Sequence, residues 1–229
     1  QEKFIKTLID RCMKLGVDGI NIDFESLYGS DRNKFTAFVK KLADAAHAKK
    51  LKVSIDLIRG SIDWNHLTAF DHAELAKIVD YVIMMGYDQH WSGSTVPGSV
   101  AGLDWTEQGV REFLSYGIRR DQLILGVPFY VREWKIDSSG KLVSNRALVM
   151  KNLPELIKEK NAVKTWDPRF GQYKVEYKEN GYKYVFWLED KNTLKKRLEI
   201  VKKYQLAGIA AWRLGYEDRE VWESILGEK

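Results

Sequence analysis

Long hydrophobic runs are missing from this chain: no apolar stretch approaches the roughly 18 to 20 residues that a membrane-spanning helix needs. Cysteine is nearly missing too. Cys12 is the only one in 229 residues, so no internal disulfide forms, and its helical surroundings mark it as a small core residue. The four histidines, His47, His66, His72 and His90, are scattered over helix and loop patterns, so the expectation is no metal site. No phosphate-cradling glycine loop and no nucleic-acid-binding motif occurs, and nothing implies a cofactor. The opening "QEKFIKTLIDRCMKLGV" reads as an amphipathic helix and not as a secretion signal.

What is present suits a globular α/β protein, either one large domain or two small ones: 45% of the residues are hydrophobic and 30% charged. The net charge of +5 and pI near 9.0 favour an anionic partner, such as nucleic acid or an acidic cell-wall polymer. The basic residues are spread along helix surfaces, as in "KKLADAAHAKK" and "LKKRLEIVKKY", which reads as solvated helix faces.

Helix-period and strand-period segments alternate almost from the start. A helix over about 2–15 leads through Gly16 into "VDGINIDFE", and Ser30 or Asp31 is placed to cap the next helix, "DRNKFTAFVKKLADAAHAKK". Then come the strand "LKVSIDLI", the helix "FDHAELAKIVD", the strand "YVIMMGYD" and a long loop with Pro97. "DWTEQGVREFLSYG" carries Asp104 and Glu107 at capping-box spacing. The strand "LILGVPFY" follows it, and "GIAAWRLG" with the helix "EDREVWESIL" comes last. Five strand runs separated by helices predict a parallel α/β sheet. Residues 135–190 have a different texture and are read as a small α+β insertion; within them Asn180-Gly181 separates two alternating runs, a hairpin signal.

In "DGINIDFESLYG", Asn21, Asp23 and Glu25 alternate with Ile20, Ile22 and Phe24. Successive strand side chains point to opposite faces, so the polar set shares one face. An amphipathic strand with its acidic side in water is one explanation. Strands of parallel sheets are normally covered on both faces, however, so the expectation is buried carboxylates lining a reaction site. Two carboxyls at i and i+2 lie close, and their like charges raise the pKa of one, which supplies a proton donor at neutral pH. Metal binding is the competing use of such a cluster.

In sheets of this class, reactions take place at the carboxyl ends of the strands. Those ends carry Asp23 and Glu25, Tyr87 and Asp88, Tyr130, and Trp212 with Arg213. Trp91 and Trp134 are further candidates to line a groove, Trp187 and Trp222 read as packing, and Trp166 fits either role.

"DGINIDFE" resembles the DxxDxDxE signature of glycoside hydrolase family 18, the chitinase-like enzymes, at Asp18, Asp23 and Glu25. "MMGYD" is similar to that family's Met-x-Tyr-Asp motif at Met85, Tyr87 and Asp88. "LILGVPFYVREW" looks like its seventh strand and "GIAAWRLG" like its eighth, ending in Trp212. The resemblance implies a (β/α)8 TIM-barrel fold and substrate-assisted, retaining hydrolysis of β-1,4-linked N-acetylglucosamine glycans, either peptidoglycan or chitin. Glu25 would be the proton donor, and Asp23 would orient the substrate's acetamido group. Tyr87 would hydrogen-bond that group, Asp88 would contact the same sugar and Trp212 would stack beneath it. Asn21, Met85, Tyr130, Trp134 and Trp91 complete the expected substrate-binding set. The alternative is a lectin-like protein on the same fold; such relatives lose the acid that is retained here as Glu25.

Two departures shape the expectation. Asn21 stands where the signature has a further acid, a form similar to that of bacterial spore-cortex and cell-wall members. This points toward peptidoglycan and a secreted, wall- or spore-associated parent. Only one helix precedes the signature strand, which in the family is the fourth. The expectation is therefore a partial catalytic domain over residues 1–229, an incomplete barrel of strands four to eight, whose open strand edges invite self-association.

Overall fold

The computed structural model describes residues 1–59 and 68–227; His66 lies outside them. The chain divides into two compact units. The first comprises residues 1–85, 109–125 and 205–208, and the second residues 86–108, 126–204 and 209–229.

In the first unit, helix α1 (Glu2–Leu15) buries Ile5, Ile9 and Cys12, one stripe at helical spacing. It stops where Gly16 takes a φ of +67°, a left-handed conformation that glycine adopts without steric cost. Strands β1 (Gly19–Ile22), β2 (Lys52–Ile58), β3 (Tyr81–Met85) and β4 (Leu123–Pro128) pair as parallel neighbours. With β10 (Gly208–Trp212) they form a sheet in the order β1-β2-β3-β4-β10. The expected parallel α/β sheet is present, and β2 shows how it is built. Val53, Ile55 and Leu57 are fully buried on one face, while Ser54 and Asp56 occupy the other.

Helix α2 (Arg32–His47) packs through Phe35, Val39, Leu42, Ala43 and Ala46. Asp31 holds its N-cap position, yet its side chain makes no capping hydrogen bond. A side-chain cap does form at α3 (His72–Ile78), where Asp71 accepts from the Glu74 amide at 3.1 Å. Helix α4 (Leu103–Ser115) begins one residue before Asp104, so the expected capping box does not form. Glu107 instead accepts from Lys203 Nζ and Tyr204 Oη, both at 2.7 Å.

The second unit contains a five-stranded antiparallel sheet in the order β6-β5-β9-β8-β7. Its strands are β5 (Tyr130–Ile136), β6 (Leu142–Val149), β7 (Val163–Asp167), β8 (Gln172–Glu179) and β9 (Tyr182–Trp187). Helix α5 (Leu153–Glu159) connects β6 to β7. "LILGVPFY" is not one continuous strand: β4 ends at Pro128, and Tyr130 opens β5. Asn180 and Gly181, at φ +50° and +78°, join β8 to β9, with Glu179 opposite Tyr182. Two left-handed central residues are what a tight hairpin turn demands. Val131, Leu153, Val175, Tyr177, Phe186 and Leu188 form one core, and Trp134, Phe170, Val185 and Trp187 another.

After β9, helix α6 (Lys191–Tyr204) places Arg197 against Glu189, each 1% exposed, in a two-pronged ion pair with both N–O distances 2.7 Å. Arg197 also donates to the Ala101 carbonyl at 2.6 Å, and Gln172 donates to Glu189 at 2.8 Å. Burial pushes the Glu189 carboxyl up to about 7, against the pull of Arg197 and Gln172. Helix α7 (Glu220–Leu226) ends the described chain.

Two stability predictions follow from these contacts. Arg197→Met leaves a buried carboxyl without its cation and lowers stability by about 3–5 kcal/mol in urea denaturation. In the first unit, Asp80 lies between Lys52 Nζ at 2.8 Å, the Val53 amide at 2.9 Å and His47 Nε2 at 2.9 Å. Partial burial opposes ionisation, but these donors hold Asp80 at about 2, below its ordinary 3.8. A depressed carboxyl stabilises the fold above the unfolded pKa, and that contribution is lost as pH falls through the folded one. Asp80→Asn therefore costs at most about 2 kcal/mol at neutral pH, and the gap to wild type closes between about pH 4 and pH 2.

Candidate active site

The residues singled out by the sequence fall in both units and are described unit by unit. In the first, β1 ends at Ile22, and Asp23, Phe24 and Glu25 continue from its carboxyl end. The alternation persists beyond the ladder. Ile22 is 2% exposed, and the Phe24 ring sits edge-on to Phe35 and Phe38 of α2, each at 5.9 Å. These apolar anchors turn Asn21, Asp23 and Glu25 to the opposite face. Ser26 then takes a φ of +58°, which ends the extended run directly after Glu25.

The expectation that this acidic set is buried does not hold: Asn21, Asp23 and Glu25 are all exposed. The reason is positional. β1 stands at the end of the strand order, and Asp23 and Glu25 lie past its last ladder residue.

Asn21 is paired in register with Ser54 of β2. Ser54 Oγ donates to Asn21 Oδ1 at 2.7 Å, and Asn21 Nδ2 donates to Asp56 Oδ2 at 2.8 Å. Burial raises the pKa of the Asp56 carboxyl; the Asn21 hydrogen bond opposes this, and the charges of Asp23 and Glu25 add to it. The sequence reading passed over Ser54 and Asp56. Their signal was there: "KVSIDLI" alternates polar and apolar residues on the same period as "INIDFE".

In the second unit, the chain leaves β3 at Gly86, whose amide donates to the Gly126 carbonyl at 3.1 Å, and turns through Tyr87 and Asp88. Asp88 has a φ of +62°, an uncommon conformation for a residue with a side chain. Tyr130 Oη donates to Asp88 Oδ1 at 2.5 Å, and the Tyr87 and Tyr130 rings meet edge to face at 6.2 Å. Val100, Ala101 and Tyr130 form the buried base of this cluster, with Tyr87 and Tyr216 packed against it. Burial, then the Asp88 charge and hydrogen bond, raise the pKa of the Tyr130 phenol.

The tryptophans separate by burial. Trp212 is 47% exposed, while its carbonyl is pinned by the Phe129 amide at 2.8 Å, so a fixed backbone presents a half-open ring. Trp91 is 55% exposed. Trp134 does not line an open groove: it is fully buried in the antiparallel-sheet core, and its indole N–H donates to the Gly98 carbonyl at 2.9 Å. Trp187 is buried as expected, and Trp222 packs edge-on against Phe129 at 6.4 Å. Met85 is half-buried at the end of β3, in the first unit.

The model of the family "Glycosyl hydrolases family 18" matches residues 1–217, and the chain belongs to that family. It is 28% identical over 234 residues to an uncharacterised glycosylase, YvbX, of Bacillus subtilis, covering 98% of this chain and 65% of the relative. It is 21% identical over 229 residues to the cortical fragment-lytic enzyme of the same organism, covering 97% and 52%. Among solved structures, a chitinase from Chromobacterium violaceum matches with a TM-score of 0.88 at 27% identity, covering 97% of this chain and 69% of that one. The Bacillus cereus spore cortex-lytic enzyme SleL matches in fold, with a TM-score of 0.87 at 22% identity, covering 99% and 52%. The chain spans between half and two thirds of the length of its Bacillus subtilis relatives. Its fold is that of the TIM-barrel family, represented by a five-stranded sheet whose first four strands run parallel.

Tyr130→Phe keeps the ring in its cluster but removes the donor to Asp88. A hydrogen bond to a charged group is lost, so stability falls by about 1–2 kcal/mol in urea denaturation, with the antiparallel sheet retained by circular dichroism.

Proposed function

We propose that this chain carries the catalytic machinery of a retaining glycosidase that hydrolyses β-1,4-linked N-acetylglucosamine glycans, with peptidoglycan favoured over chitin. The observation that carries the reading is Glu25, two residues beyond Asp23 at the carboxyl end of β1 in a chain of this family. Glu25 gives its proton to the glycosidic oxygen. The substrate's own acetamido oxygen attacks the anomeric carbon, and Asp23 orients that group and offsets the positive charge of the cyclic intermediate. Tyr87 hydrogen-bonds the acetamido oxygen and Asp88 contacts the same sugar. Trp212 offers the sugar a ring to stack on, and its half-open indole suits that part.

Peptidoglycan is favoured by the net charge of +5, which suits an anionic wall, and by the cortical fragment-lytic relatives. A secreted, wall- or spore-associated location follows from the same substrate.

The test is hydrolysis of N-acetylglucosamine oligomers and muropeptides by the full-length protein and by Glu25→Gln. The expected result is turnover by the wild type and a loss of roughly 10²–10⁴-fold in the variant, with binding retained. Equal turnover in both removes Glu25 from the mechanism. Binding without turnover in the wild type replaces the enzyme by a lectin.

A further inference from the structure

Of the carboxyl groups on the acidic face of the first unit, Asp56 is the one without an assigned task. Its neighbour on β1 is Asn21, which stands where the family's signature has an acid. An amide cannot ionise and cannot share a proton with Asp23. The parallel register sets Ile22 level with Ile55 and ends there, and Asp23 and Asp56 are each the next residue along their chains. Both belong to the face that also holds Asn21 and Ser54, because strand side chains alternate.

The hydrogen bonds around Asp56 are lopsided. Oδ2 accepts from Asn21 Nδ2 at 2.8 Å, and the Asn21 oxygen is taken by Ser54, which fixes the amide's orientation. Oδ1 is shut off from solvent and has no hydrogen-bond partner. A buried oxygen left unsatisfied is costly, so it calls for a task beyond packing. The two charged groups that act on this carboxyl most strongly are Asp23 and Glu25, both acids. Two facing carboxyls resolve their repulsion by holding one proton between them.

We infer that Asp56 is a positioning residue for Asp23: a protonated carboxyl whose Oδ1–H donates to the Asp23 carboxylate, supplying from β2 the acid that position 21 lacks. The inference rests on the assignment of Asp23 and Glu25 made above. No proton leaves the pair during the reaction; the proton delivered to the leaving oxygen comes from Glu25. The donated hydrogen bond aims Asp23, the electrostatic partner of the developing cation.

The experiment compares pH–rate profiles of the full-length protein on an N-acetylglucosamine oligomer for wild type, Asp56→Asn and Asp56→Leu, with Glu25→Gln as control. An asparagine at 56 keeps both bonds, with its oxygen accepting from Asn21 and its amide donating to Asp23. Asp56→Asn therefore retains kcat within about threefold. Asp56→Leu has no donor, so kcat falls roughly tenfold or more with KM little changed. Asp23, less favoured as an anion, then moves the acid limb of kcat up by about one pH unit. Asp56→Ala replaces the leucine variant if circular dichroism shows that leucine disturbs the fold.

An acid limb that stays in place in the donorless variant, whatever its kcat, overturns the inference and makes Asp56 a packing residue. A kcat lost equally in Asp56→Asn overturns it too. Glu25→Gln separates the two levels: if that variant is inactive while the limb stays put, only the role of Asp56 falls. If it remains active, the assignment of Glu25 falls first.

Discussion

The ladder between β1 and β2 decides where every acid at this end of the first unit points. Its register pairs Asn21 with Ser54 and Ile22 with Ile55, and strand alternation does the rest. The apolar members turn inward, Ile22 into the core and Phe24 onto the rings of α2. The polar members have no choice but the opposite face. A slip of one residue would exchange the two sets and put Asp23 and Glu25 where Phe24 now packs. The acids are therefore held in place by the buried Ile22 and the ring contacts of a half-exposed Phe24 more than by contacts of their own.

The second unit uses a different device. Its polar groups are held by buried hydrogen bonds: Tyr130 to Asp88, Trp134 to the Gly98 carbonyl, and Arg197 shared between Glu189 and the Ala101 carbonyl. The Arg197 contact joins the middle of α6 to the loop before α4, the same loop whose Val100 and Ala101 pack under Tyr130. A well-paired buried ion bond of this kind adds little net stability but penalises every arrangement that separates its partners. It keeps the loop that carries Tyr87 and Asp88 in register with its surroundings.

Most of the element order was legible in the sequence because the two periods differ so clearly. The stripe of Ile5, Ile9 and Cys12 belongs to a helix, and the alternation in "KVSIDLI" belongs to a strand. The Asn180-Gly181 turn was legible because its backbone angles exclude most other residues. What sequence could not show depends on neighbours distant in the chain. Trp134 follows a strand just as Trp212 does, yet one is sealed in a core and the other half open. The exposure of Asp23 and Glu25 depends on β1 ending the strand order, which no local pattern records. Asp56 follows the same alternation in "KVSIDLI", but its hydrogen bond to Asn21 depends on which strand pairs with β1. The capping box at Asp104 failed for a local reason: the helix starts a residue early, and Glu107 is claimed by α6.

In the proposed reaction the substrate's acetamido oxygen, and not a protein carboxylate or a water, attacks the anomeric carbon. Attack from within the sugar followed by water entry from the original side returns the starting configuration. The most direct measurement is proton NMR of the anomer formed first when the full-length protein hydrolyses an N-acetylglucosamine oligomer. The β anomer appearing ahead of mutarotation is the predicted result. The α anomer appearing first would mean direct attack by water, and would contradict the mechanism from which the roles of Asp23 and Glu25 are drawn.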